Sequence, residues 1–222
     1  MSKKIYISPS SQPENKYAVG NTNEEVQCNK IAAAVDAALY RCGLDGVLPS
    51  ASGSTMYDRV RESNAAHVDL HMPIHTNAYN GKVAGLRIFL YKMGGEGEKI
   101  ARAIEAELAP ITPGESDGIS AVPSLYEIKS TNAVCVYLEV GFHDNPEEAK
   151  WIIDHTEDIA EAICKGLCNY YGVKYVSPKP DKADVMYRVQ IGSFRKRENA
   201  ENTLARAKAA GFDDAFIAEV KL

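Results

Sequence analysis

The sequence predicts an α/β protein: a mostly parallel, twisted sheet with helices on both faces, followed by a small C-terminal β-α-β module. Three observations carry this. Residues 1–172 alternate short apolar runs of strand length with segments whose apolar side chains recur every three or four positions. Strands separated by helices pair in parallel and need cover on both faces. Next, Ser177-Pro178-Lys179-Pro180-Asp181-Lys182 holds two prolines and no apolar side chain, so residues 173–184 read as a short stiff linker. Finally, residues 185–222 carry a strand-helix-strand pattern in about 38 residues, a length marginal for an independent core.

Ile5 to Ile7 form the first strand, and a loop rich in Ser, Pro and Asn runs from Ser8 to Thr22. A helix from Asn23 to Cys42 puts Cys28, Ile31, Val35, Leu39 and Cys42 on one stripe, and Gly43 ends it. A second helix spans 55–66, and strands follow at 69–75 and 84–91. Gly94 and Gly95 open a helix that stops before Pro110. A strand at 133–140 and two helices within 146–171 complete the larger unit. The tail reads as a strand at 185–191, a helix at 197–210 and a strand at 215–220.

At 222 residues, 45% hydrophobic and 25% charged, the chain suits one sizeable domain with a small appendage. Residues 181–222 hold 8 basic and 7 acidic side chains, and the rest 17 and 23. Neither part has the basic field of a nucleic-acid binder. No apolar run is long enough to cross a membrane, so no insertion is expected. The N-terminus shows no signal-peptide pattern, which implies cytoplasmic synthesis. The five cysteines fall on apolar faces and read as buried, reduced thiols. Cys164 and Cys168 share a helix face, but no matching Cys or His lies near them in sequence, so they read as core.

The chemistry gathers in two apolar strands. Val134-Cys135-Val136-Tyr137-Leu138-Glu139-Val140-Gly141-Phe142 closes on one carboxylate, which is costly to bury unless it is paired or working. Asp69-Leu70-His71-Met72-Pro73-Ile74-His75-Thr76-Asn77 ends in a histidine. In parallel sheets, sites form beyond the carboxyl ends of strands, and both residues sit there. Glu24 opens the first long helix, where a carboxylate also complements the helix dipole. His75 on its own also reads as a core histidine bonded to backbone.

These segments resemble the zinc-dependent N-acetylmuramoyl-L-alanine amidases, which often carry an SPOR-type glycan-binding module. The resemblance rests on Val136 to Phe142 with Asn145 and Glu148, on Arg59, Asn64 and Asp69 with Ile74-His75-Thr76-Asn77-Ala78, and on Glu24. It implies an amidase-like catalytic domain at 1–172, with zinc on Glu24 and His75 and Glu139 as acid/base. The family's first zinc histidine follows the first strand, but here the turn reads Ser8-Pro9-Ser10-Ser11-Gln12. Gln12 and His143 are equal candidates for the third ligand, with Ser11 and His71 as further possibilities. Asn77 and Arg59 are candidates for substrate contact, although Arg59 and Asn64 also suit a role in shaping the nearby loop. The implied reaction is cleavage of the amide between N-acetylmuramic acid and the L-alanine of the stem peptide. An endolysin-like protein of this kind is made in the cytoplasm and acts on the cell wall after release. The competing reading is a peptidoglycan-binding pseudo-amidase that has lost its metal.

Tyr187-Arg188-Val189-Gln190-Ile191-Gly192-Ser193-Phe194 with Asn199-Ala200 and Ala209-Ala210-Gly211-Phe212 looks like half of an SPOR module. The resemblance implies glycan contact through Gln190, Phe194 and Arg195, with Ser193 beside them. A half-module also suggests a homodimer through residues 185–222, in which two copies complete one sheet.

Overall fold

The computed structural model describes residues 2–178 and 189–220. The chain divides into two compact units, Met1–Pro178 and Lys179–Leu222, with the division inside the segment read as a linker.

In the first unit, β1 (Lys4–Pro9), β2 (Asp45–Val47), β3 (Leu70–Asn77), β4 (Arg87–Leu90), β5 (Gly118–Ala121), β6 (Val134–Cys135) and β7 (Tyr137–Phe142) form one sheet. Its order is β2-β1-β3-β7-β4-β5, with β6 also pairing β3. All pairings are parallel except β4 with β7, which is antiparallel. The helices are α1 (Glu24–Arg41), α2 (Met56–Ala65), α3 (Glu96–Leu108), α4 (Tyr126–Ser130), α5 (Pro146–Asp154) and α6 (Thr156–Tyr171). β2, β5 and α4 are short elements that the sequence reading passed over. They lack the long periodic patterns that identify the others.

The helix ends follow from local chemistry. The Asn23 side chain accepts from Val26 N at 2.9 Å to start α1. Thr55 and Asp58 cap α2 reciprocally. Asn145 caps α5 with Pro146 in its first turn, and Gly172 ends α6 at φ 67°.

The two faces of the sheet differ in character. On one, Ile5, Ile7, Met72, Ile74, Ile88, Leu90, Leu138 and Val140 pack in a continuous core with side chains of α1, α3, α5 and α6. The other face alternates with it and presents Tyr6, Ser8, His71, His75, Tyr137 and Glu139. A small second cluster of Ile128, Cys135 and Tyr137 with Phe89 and Leu125 seals part of this face beneath α4. On this face His71, His75 and Glu127 are buried, while Glu139 is half-buried.

The second unit contains α7 (Arg197–Ala209), which ends at Gly211 with φ 94°. Arg197 pairs with Glu201 and Glu219, both at 2.8 Å. The expected strand at 185–191 falls partly outside the described residues, and its described part, like 215–220, is not strand. Among the described residues the tail therefore shows its expected helix and no strand. A strand needs a neighbour to satisfy its backbone groups, and within the described residues of this unit none is supplied. Its apolar side chains accordingly stand out in solvent, with Val189 92% and Ile191 64% exposed.

Candidate functional site

β3 and β7 are adjacent parallel strands, and their register sets His75 opposite Glu139. Cross-strand partners project from the same face about 4.8 Å apart, so the imidazole and the carboxyl are neighbours. α1 begins at the carboxyl ends of the strands, where its first residue, Glu24, reaches the same point. Glu24 Oε1 lies 2.9 Å from His75 Nδ1 and accepts from Thr76 N at 3.2 Å. Its other oxygen accepts from Asn15 Nδ2 at 2.6 Å. Both side chains are buried.

A third carboxylate, missed in the sequence reading, completes the cluster. Glu127 Oε2 lies 3.7 Å from His75 Nε2, across the ring from Glu24. Its Oε1 accepts from Ser8 Oγ at 2.5 Å and lies 3.1 Å from His71 Nε2. The signal was available: Glu127 is a lone acid in Leu125-Tyr126-Glu127-Ile128, the same anomaly that singled out Glu139. Arg59 is buried, donates to Ser54 Oγ at 3.1 Å and bears electrostatically on Glu127. It thus sits behind the cluster.

The electrostatics follow from three acids facing one imidazole. Burial opposes charge on His75, but Glu127, Glu24 and Glu139 outweigh it, and the His75 pKa is raised to about 9. Burial also opposes charge on Glu127, yet the two histidines hold it at about 2. Glu24 is likewise lowered, its bonds to His75, Asn15 and Thr76 overcoming desolvation. Glu139 has no such support. Its burial, reinforced by Glu24, pushes it to about 8 against the pull of His75. Its Oε2 is buried without a hydrogen-bond partner.

The strand end carrying Glu139 is braced by Glu148. This carboxyl accepts from Phe142 N and Gly85 N, both at 2.8 Å. A Cβ on Gly141 would sit 2.9 Å from the Glu148 carboxyl carbon, so this position of β7 favours glycine as long as Glu148 keeps its place. Burial raises Glu148 to about 7 even against those two bonds.

The other expected residues fall around this centre. Gln12 Oε1 accepts from Asn15 Nδ2 at 2.6 Å, the same amide nitrogen that bonds Glu24. His143 is buried with Nδ1 3.0 Å from both Thr76 Oγ1 and Thr76 O, and its ring stacks on Tyr17. His71 is stacked on Tyr6, with Nδ1 buried and unpartnered. Asn77 Oδ1 accepts from Ala78 N at 2.8 Å. Asn64 bonds Ser130 O and Asn132 N, tying α2 to the loop before β6. In the second unit Gln190 and Arg195 are exposed, and Phe194 is 44% exposed.

The donor set fits a divalent cation. In its absence, burial favours a proton on Glu139 and the surrounding carboxylates favour one on His75. A doubly charged ion replaces both. No three of these side chains bring one donor atom each within 4.8 Å of one another. Among the described residues, only Cys42, Cys164 and Cys168 do so. Glu24 with His75 Nδ1 is thus the close pair, and Glu127 addresses the opposite ring nitrogen.

A stability profile follows. His75, Glu139 and Glu148 bind protons more tightly in the fold than their usual values of 6.5, 4.5 and 4.5. Their contribution is therefore full at low pH and lost as pH rises through about 7 to 9. Glu127 works oppositely, losing its contribution as pH falls from 4.5 towards about 2. Chelated protein should be most stable near pH 5, declining towards pH 9 by up to about 1.4 kcal/mol per pH unit for each extra proton held. Urea midpoints across this range check it, and a midpoint that rises from pH 5 to 9 contradicts it.

The sequence model of the N-acetylmuramoyl-L-alanine amidase family matches residues 5–169, and that of the SPOR domain matches 169–221. The germination-specific N-acetylmuramoyl-L-alanine amidase of Bacillus subtilis (strain 168) is 28% identical over 124 residues, covering 54% of this chain and 52% of that protein. This chain therefore spans about half the length of that relative. The N-acetylmuramoyl-L-alanine amidase CwlM of Bacillus licheniformis is 26% identical over 219 residues, covering 96% of this chain and 84% of that protein. Among solved structures, the catalytic domain of the amidase CwlV from Bacillus (Paenibacillus) polymyxa var. colistinus superposes with a TM-score of 0.69. It covers 78% of this chain and all of that one at 20% identity, a likeness of fold.

Proposed function

The chain belongs to the N-acetylmuramoyl-L-alanine amidase family, and from that premise we propose that it cleaves the amide joining N-acetylmuramic acid to the L-alanine of the peptidoglycan stem peptide. The observation that carries the reading is the gathering of three carboxyl groups, Glu24, Glu127 and Glu139, around the single imidazole of His75 at the carboxyl ends of β3 and β7, an excess of negative charge that a dication would offset. This supports a working metal site over a metal-free binding protein.

Zinc would be held by Glu24 and His75, and when bound it would lower the pKa of a water towards about 7 and polarise the scissile carbonyl. Gln12 supplies the third donor in this reading. It ends the turn after β1, and Asn15 draws its amide oxygen towards Glu24. The His143 Nδ1, by contrast, is taken up by Thr76. Glu127 fixes the ring of His75 from the far side, a carboxylate–histidine arrangement that orients a ligand. Glu139 takes the proton of the attacking water and delivers it to the leaving amine of alanine. Its buried, unpartnered Oε2 is free for that exchange. Arg59 braces the cluster from behind through Ser54, which leaves Asn77, at the end of β3, as the candidate for substrate contact.

The test is release of soluble muropeptide fragments from purified peptidoglycan. Release that stops on chelation and returns with zinc is expected. Release indifferent to chelation contradicts the proposal.

For the second unit, we infer contact with glycan through Gln190, Phe194 and Arg195, and a homodimer through residues 185–222. The exposure of Val189 and Ile191 supports pairing with a second copy, which supplies the missing strand neighbour. Sedimentation should show a dimer for the full chain and a monomer for a chain truncated after Gly172. A truncated chain that remains dimeric contradicts this.

A further inference from the structure

The thiols Cys42, Cys164 and Cys168 meet at the far end of α1 from Glu24. Cys164 and Cys168 lie one turn apart on α6, and Cys42 caps the C-terminus of α1. The sequence reading gave Cys164 and Cys168 no partner, and the packing of α1 on α6 supplies one from 122 residues away. Cys164 Sγ lies 3.6 Å from Cys42 Sγ and 4.0 Å from Cys168 Sγ, and all three sulfurs are within 4.8 Å of one another. Cys164 and Cys168 are fully buried, and Cys42 nearly so. None forms a disulfide.

Two further features bear on what the trio can hold. Val176 N–H donates to Cys42 Sγ at 3.3 Å, and the Val176 carbonyl lies 3.7 Å from the same sulfur. The guanidinium of Arg41 stands beside the thiols, donating through Nε to Val176 O at 2.8 Å. N–H donation and an adjacent cation favour thiolate, while burial pushes the Cys164 thiol well up and Cys168 to about 11, so without an ion the sulfurs keep their protons.

We propose that Cys42, Cys164 and Cys168 form a second metal site, selective for a thiophilic divalent cation of the zinc and cadmium type and separate from the hydrolytic centre. A tetrahedral zinc with Zn–S bonds of about 2.3 Å sets its sulfurs about 3.8 Å apart. The measured spacings bracket that value. On binding, each sulfur gives its proton to solvent and its lone pair to the ion. Three thiolates and one dication leave a single negative charge beside Arg41, whose guanidinium also pairs with Glu161 at 2.6 Å. The Val176 carbonyl offers a fourth, oxygen donor. Soft thiolates discriminate for such ions against magnesium and calcium. The hydrolytic centre has no thiolate ligand in our reading. Along α1 the two sites are separated by about 27 Å, from 18 residues at about 1.5 Å each. The ion would also pin the chain at Tyr175 and Val176, where the first unit ends, against α1 and α6.

Cadmium is the probe, added to the reduced, chelator-stripped full chain. A background of Cys28→Ala with Cys135→Ala removes the other two thiols. Thiolate-to-cadmium charge-transfer absorption should appear and saturate, and either Cys42→Ala or Cys164→Ala should abolish it. Circular dichroism checks that those variants fold. Cadmium-113 NMR of the unmutated chain gives a reading that needs no variant, with one resonance in the thiolate range expected. Absence of both the absorption and that resonance, or an absorption that survives loss of Cys42 and Cys164, overturns the proposal.

Discussion

Glu139→Gln should lower the rate of stem-peptide amide cleavage by about 10²- to 10⁴-fold, the usual contribution of a positioned acid/base. The substitution is nearly isosteric, so β7 should keep its register with His75. Folding should not suffer, because Glu139 Oε2 makes no hydrogen bond that an amide would break. Burial already holds a proton on this carboxyl at neutral pH in the cation-free protein, its pKa lying at about 8. Replacing it by a permanently neutral group therefore costs the fold little. The loss should appear mainly in kcat, since the proton moves only in the transition state. Activity within a few-fold of the parent would take the acid/base role away from Glu139.

His75→Ala should abolish both zinc retention and cleavage. The imidazole is the one group that faces all three carboxyls, lying 2.9 Å from Glu24 and 3.7 Å from Glu127 and opposite Glu139. Removing it takes away a metal donor and leaves Glu24 without its cationic partner, while Glu127 keeps His71 at 3.1 Å. Burying an uncompensated charge costs about 3–5 kcal/mol, so the variant should also unfold at lower urea. Glu127→Gln makes the contrast. It leaves all three proposed ligands in place and alters the carboxylate that faces His75, Ser8 and His71, so zinc affinity should fall by about 10- to 100-fold rather than vanish. Equilibrium dialysis with zinc separates the two variants. Equal losses would make Glu127 a ligand in its own right, and unchanged affinity in His75→Ala would contradict the site.

Much of the fold was legible because its long elements announce themselves. The stripe from Cys28 to Leu39 and the cap at Asn23 define α1. The apolar runs around Met72 and Leu138 define the central strands. The antiparallel entry of β4 beside β7 was not legible, since strand direction leaves no trace in side-chain pattern. In the tail, alternation suggested strands at 185–191 and 215–220, but alternation states only a preference that a pairing partner must satisfy. The site divides in the same way. Glu139 and His75 stand out as polar residues closing apolar strands, and the parallel register brings them together. Glu127 lies on a five-residue helix too short to show a period, although its lone charge was a usable sign. The thiol trio joins residues 122 positions apart, a proximity that only tertiary packing reveals.

The central claim is that one divalent cation is gripped at the Glu24–His75 pair, within reach of Glu139. An anomalous difference map collected at the zinc absorption edge, from crystals grown with zinc, tests it most directly. The account predicts a peak beside Glu24 Oε1 and His75 Nδ1, facing the Glu139 carboxyl. A map with no peak there, whatever density the thiols hold, contradicts it.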